Sequence, residues 1–143
     1  MTLPMVVPDP SLPTHVTIWE VGPRDGLQNE SGVIDTATKI ELIDRLAGAG
    51  LGIVEATSFV RPDRVPQLAD AREVRAGIAR RDGVRYPVLV PNMRGLESAL
   101  DADVTDIAIF ASATETFAQR NLGRGYDAQW EMFAPVVARA RAE

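Results

Sequence analysis

Short apolar runs rich in β-branched residues alternate along this chain with stretches whose apolar residues recur every three or four positions. The runs predict strands at residues 16–21, 53–59, 85–90 and 106–111. The first helical pattern covers residues 35–49. Asp35 or Thr36 caps it, Ile40, Ile43, Leu46 and Ala47 share one face, and Gly48 and Gly50 close it. Lys39 falls on its polar side. A polar turn, Arg61-Pro62-Asp63-Arg64, leads to a second helix ending near Arg81, with Leu68, Ala71, Val74 and Ile78 at helical spacing. The third strand ends at Pro91-Asn92, and a short helix follows through Leu100. After the fourth strand a long polar loop is expected, carrying Thr114, Glu115, Thr116, Arg120 and Asn121. The last helix starts near Asp127, with Trp130, Phe133, Val137 and Ala140 facing inward.

Four βα units whose strands are apolar on both faces call for an α/β fold, a parallel sheet covered by helices. Periodicity alone leaves two arrangements open, a barrel or a doubly wound sheet. The chain has 143 residues, whereas a complete (β/α)8 barrel needs about 250. Residues 1–15 form a proline-rich arm, with Pro4, Pro8, Pro10 and Pro13 and neither arginine nor lysine. Such a segment matches no secretory or transit peptide, and no apolar stretch is long enough to span a bilayer; a cytoplasmic protein without a membrane partner is expected. The net charge of −5 argues against nucleic acid as the main partner. Cysteine is absent, which removes thiol nucleophiles, thiolate metal sites and disulfides.

Chemistry concentrates after the first strand, in Val21-Gly22-Pro23-Arg24-Asp25-Gly26-Leu27-Gln28-Asn29-Glu30. A Gly-Pro turn presents Arg24 and Asp25 side by side, and Gly26 is expected to let the backbone turn again. The carboxylate can ligate a hard metal ion, while the guanidinium neutralises charge developing on a substrate oxygen. Glu55 lies within an apolar strand, where a carboxylate is costly unless paired. Glu20 stands in a similar position, and a core ion pair with an arginine is expected for it. Lys39 is the only lysine, and on a polar helix face it offers no Schiff-base amine. His15 precedes the first strand, at the end remote from catalysis.

The segments Glu20 to Glu30, VEATSFVRPDRVPQ (54–67), VPNMRG (90–95) and IAIFASATETFAQRN (107–121) resemble the metal-dependent Asp-Arg-Glu barrels. Within that group the chain is most similar to the 3-hydroxy-3-methylglutaryl-CoA lyases. The resemblance implies a (β/α)8 TIM-barrel fold, with this chain covering about the first four βα units, residues 16–143, as a half-barrel. It implies cleavage of 3-hydroxy-3-methylglutaryl-CoA to acetoacetate and acetyl-CoA, in leucine degradation. Arg24, Glu55 and Gln28 match catalytic positions, with Gln28 expected to hydrogen-bond Glu55 or substrate. Arg24, Ser58 and Asn92 are the substrate-binding candidates, and Thr57 lies beside them. Asp25 is implied as a ligand of Mg2+ or Mn2+. Such enzymes complete the metal site with a His-x-His pair and an asparagine from later strands, which this chain does not contain. Expected partners are therefore an acyl-CoA substrate and either further copies of the chain or a complementary C-terminal half. Two alternatives stay open, a related 2-isopropylmalate or homocitrate synthase and a non-catalytic half-barrel.

Overall fold

A computed structural model describes residues 9–143; of the proline-rich arm, residues 1–8 lie outside it. The helices are α1 (Thr36–Gly48), α2 (Ala71–Gly77), α3 (Met93–Leu100), α4 (Glu115–Leu122) and α5 (Tyr126–Ala142). The strands are β1 (Thr57–Ser58), β2 (Val88–Leu89) and β3 (Ile107–Ala108), paired in parallel in the order β1-β2-β3. Thr57 pairs with Val88 and Ser58 with Leu89; Val88 pairs with Ile107 and Leu89 with Ala108. Two parallel bridges, Glu20 with Val54 and Ile53 with Arg85, extend the sheet toward the chain's start. The parallel segments thus neighbour one another in chain order, with no reversal. A doubly wound sheet would reverse its order at a switch point, so this sequence of neighbours is that of a barrel wall.

Local chemistry sets the helix starts. Asp35 Oδ1 accepts from the Thr38 N–H at 2.9 Å, Asn92 Oδ1 from Gly95 at 3.0 Å, and Thr114 Oγ1 from Phe117 at 3.3 Å. The core divides in two. Ile43 and Ala47 of α1 pack with Val74, Ile78, Val54, Ala56 and Tyr86, while Val88 and Val90 pack with Leu96, Ala99, Val104 and Val136.

Several elements depart from the sequence pattern. Residues 16–21 are not a buried strand: only Glu20 bridges, and Val16 is 68% exposed. The flank of this segment away from Val54 has no strand neighbour among the described residues, so its alternate side chains have nothing to pack against. α2 stops at Gly77, where Ile78 turns extended (ψ 139°), yet Leu68, Ala71, Val74 and Ile78 are all buried as the spacing required. The expected polar loop after β3 contains α4, started by the Thr114 cap and ended by Gly123 at φ 65°. α5 turns Gln129, Phe133 and Val136 inward and leaves Trp130 exposed. Lys39 is 2% exposed rather than on a polar face. Its Nζ donates to Gln67 O at 2.5 Å and to Asp70 Oδ1 at 2.6 Å, so a polar residue occupies a core position by bringing its partners with it.

Candidate active site

The Arg-Asp motif is built on one carbonyl. The N–H groups of Arg24 and Asp25 both point at Val21 O, at 3.1 and 2.6 Å, and that of Gly26 follows at 3.5 Å. The five residues Gly22–Gly26 form a single π-helical turn, a wide coil that recurs at functional positions. Pro23, with its φ preset and no N–H to satisfy, starts it and is buried. Of the two glycines in this turn Gly22 is the crowded one: an added Cβ would lie 2.7 Å from Glu20 Oε1. That oxygen accepts from the Gly22 N–H at 2.6 Å. Glu20 therefore fastens the start of the turn instead of pairing with an arginine. The backbone does turn again from Gly26, the Asn29 N–H donating to Gly26 O at 3.1 Å, but without a positive φ, so the turn does not draw on the freedom of a glycine.

The turn carries Arg24 across to Glu55 on the neighbouring strand. Glu20 and Glu55 are joined through the backbone, the Glu55 N–H donating to Glu20 O at 2.8 Å. Arg24 Nε then donates to Glu55 Oε1 at 2.5 Å, and the Trp19 indole N–H donates to Oε2 at 2.9 Å. With its side chain 5% exposed, Glu55 has both oxygens engaged, the condition under which a buried carboxylate is tolerated. Arg24 Nη1 reaches Asp25 Oδ1 at 2.8 Å, and Nη2 has no hydrogen bond to any described residue. The guanidinium is thus gripped from behind and open on one nitrogen. The Trp19 ring also lies 5.8 Å from the guanidinium carbon of Arg85.

Residues 15–143 match the model of the HMGL-like family. The chain belongs to that family. Among curated HMGL-like relatives, the 3-hydroxy-3-isohexenylglutaryl-CoA/hydroxymethylglutaryl-CoA lyase of Pseudomonas aeruginosa is 50% identical over 92% of this chain and 44% of its own length. The mitochondrial hydroxymethylglutaryl-CoA lyase of Rattus norvegicus is 48% identical over 92% of this chain and 41% of its own. The P. aeruginosa crystal structure superposes with a TM-score of 0.88 at 50% identity, over 92% of this chain and 44% of that one. An HMG-CoA lyase from Acinetobacter baumannii, solved with coenzyme A and 3-methylmalate, gives 0.83 at 34% identity over 89% and 42%. These HMGL-like structures are TIM barrels, and the fold described above corresponds to part of that barrel. The chain spans less than half the length of these relatives.

Within this HMGL-like frame the sequence candidates separate. Arg24, Asp25 and Glu55 come together, whereas no hydrogen bond among the described residues joins Gln28 to Glu55. Ser58 and Thr57 end β1 with both hydroxyls buried and without a hydrogen-bond partner among the described residues. Asn92 is exposed and commits its side-chain carbonyl to capping α3. Asp25, 52% exposed, offers one hard oxygen donor, and no group of three or more potential metal-ligating side chains exists among the described residues. A divalent ion needs about six ligands, so this carboxylate does not make a metal site by itself. Sequence reasoning missed Trp19, whose contact depends on the register that sets Glu20 against Val54. It also missed Gln129, fully buried against the backbone of Ser112, for which a lone glutamine in an apolar helix face was the only signal.

Proposed function

We propose that this chain carries the enolate-stabilising side of a lyase site acting on 3-hydroxy-3-methylglutaryl-CoA. The supporting observation is the Arg24–Glu55 pair, a guanidinium oriented by a buried carboxylate and open at Nη2. In the reaction a base removes the substrate hydroxyl proton, and the carbon–carbon bond breaks to give acetoacetate and the acetyl-CoA enolate. The enolate carbon is then protonated. Arg24 donates to the thioester oxygen as negative charge gathers there, an interaction stronger in the transition state than in the ground state. Glu55 fixes the angle of the guanidinium, so that no reorganisation is needed when the charge appears. Ser58, whose buried hydroxyl has no partner among the described residues, and Asn92, through its side-chain amide, are the proposed contacts to substrate polar groups, and Gln28 lies one turn beyond Arg24 to assist.

Asp25 is the proposed ligand of a divalent cation, Mg2+ or Mn2+, which when bound would polarise substrate oxygens. Completion of that centre and of the barrel is assigned to a complementary segment or to another copy of the chain. An acyl-CoA substrate, leucine degradation and a cytoplasmic setting belong to the same proposal; cytoplasmic and mitochondrial lyases both occur among the relatives. No helix among the described residues is long and apolar enough to cross a membrane.

The test is acetoacetate release from 3-hydroxy-3-methylglutaryl-CoA with Mg2+ or Mn2+, using the chain alone and after mixing with the remaining segment of a relative. Turnover that Arg24→Gln removes supports the proposal. Turnover that survives Arg24→Gln, or none in either preparation while both are folded, overturns it.

A further inference from the structure

A second concentration of charge lies at the opposite end of the sheet from Arg24. Arg75 sits in the last turns of α2, Arg72 one turn before it and Arg80 just past the helix. With Ala76, Asp101, Ala102 and Asp103 they enclose a hollow of about 410 Å3. The turn formed by residues 101–103 leads into β3 from its amino end, whereas Arg24 stands at the carboxyl end of the wall.

Arg75 is 4% exposed. Its Nη2 donates to Asp103 O at 2.6 Å, while Nε and Nη1 have no hydrogen-bond partner among the described residues. A guanidinium cannot shed its proton to escape this, and a buried charged donor without an acceptor is among the costliest arrangements in a protein. Burial, and then the charge of Arg80, hold the Arg75 pKa below its ordinary value, with Asp103 and Asp106 opposing. The local charge does not balance either. Asp101 lies 3.5 Å from Arg72, and Asp103 gives Arg75 its backbone carbonyl. Three arginines of the hollow therefore face two aspartates, and the nearby Asp106 is already paired with Arg85, leaving one positive charge over. Asp103 adopts φ 54° as the left-handed residue of a Schellman cap on α3, with the Val104 N–H donating to Ala99 O at 3.1 Å and its own N–H to Leu100 O at 3.0 Å, and its carbonyl accepts from Arg75.

We infer that the hollow between α2 and the 101–103 turn binds a small oxyanion, bearing phosphate or carboxylate, through Arg75 with Arg72 and Arg80. The oxyanion supplies acceptors to the free donors of Arg75 and cancels the residual charge, leaving Asp101 and Asp103 on the rim. Arginine suits this role because its donors stay charged at every physiological pH.

The arginine side-chain Nε–H signals and the backbone amides of the 15N-labelled chain would be followed by NMR. Inorganic phosphate, sulfate and acetate would each be titrated at constant ionic strength held with chloride. Binding predicts saturable shifts at Arg75 Nε–H and at the Ala102 and Asp103 amides. Arg80→Gln and Arg72→Gln, both at exposed positions, should each weaken the binding roughly tenfold, as loss of one charge-assisted donor implies. Arg24→Gln should leave it unchanged. Tighter binding of phosphate than of acetate, or the reverse, assigns the ligand class. Absence of saturable shifts with all three anions overturns the inference. So does a response abolished by Arg24→Gln but not by Arg80→Gln.

Discussion

Gln129 holds Ser112 by both of its backbone groups. Oε1 accepts from the Ser112 N–H at 2.7 Å, and Nε2 donates to the Ser112 carbonyl at 3.0 Å, all within the core. A side chain on α5 thereby does for residue 112 what a neighbouring strand does elsewhere in the sheet. Gln129→Leu should destabilise the chain by about 2–4 kcal/mol, because two buried backbone groups lose their partners at once. Gln129→Glu keeps the acceptor but sets a carboxylate against a carbonyl, and should be no milder. Urea unfolding followed by circular dichroism measures both.

Arg24→Gln should lower stability as well as remove the proposed turnover. Glu55 would keep only the Trp19 donor, and breaking one side of a buried pair costs about 3 kcal/mol. Glu55→Gln leaves a neutral side chain of the same shape and should cost less. The ordering of the two denaturation midpoints is the check.

Lys39 and Asp70 form the second buried pair, with Thr36 Oγ1 donating to the other Asp70 oxygen at 2.6 Å. Asp70→Asn should cost about 2–3 kcal/mol, since it leaves the buried ammonium, still bonded to Gln67 O, without its counter-charge. Lys39→Met should cost less, because Asp70 keeps Thr36 and touches solvent. Desolvation raises the Asp70 pKa, but the bonds from Lys39 and Thr36 and the Lys39 charge together hold it below the ordinary carboxylate value. A depressed carboxylate contributes stability above its unfolded value of about 3.9 and loses it as pH falls through the folded value. The wild-type chain should therefore lose stability below about pH 4 more steeply than Asp70→Asn, as thermal melts at graded pH would show.

The glycines of the motif should respond in opposite directions. Gly22→Ala pushes a methyl group against Glu20 Oε1, the mobile end of that side chain, and should cost about 1 kcal/mol through loss of its bond from the residue-22 N–H. Gly26→Ala meets open space in a helical turn and should be neutral or stabilising by up to about 1 kcal/mol. Equal losses in the two melts would contradict the geometry.

Much of this was legible in the sequence. The helices following β1, β2 and β3, the Asp35 cap and the buried stripe of Leu68, Ala71, Val74 and Ile78 follow from periodicity and capping chemistry. The chain-order pairing of the strands does not, because strand neighbours are chosen by packing that local pattern does not encode. Lys39 was misplaced because residue type was weighed without Asp70 and Gln67, thirty residues away and invisible to any helical wheel. Residues 16–21 misled for the converse reason: their pattern fits a strand enclosed on both sides, and only Glu20 is paired here. In the site, the nearness of Arg24 and Asp25 was plain from the motif. The contacts of Glu55 required the register of two strands.

The indole that grips Glu55 also gives the chain an optical handle. Tryptophan occurs twice, and Trp130 is exposed on α5 with Tyr126 edge-on at 6.2 Å. In a Trp130→Phe background, all tryptophan emission comes from one residue hydrogen-bonded to the carboxylate that orients Arg24. Any compound that disturbs that carboxylate changes the colour or intensity of the light, so occupancy can be followed in a cuvette without substrate being consumed.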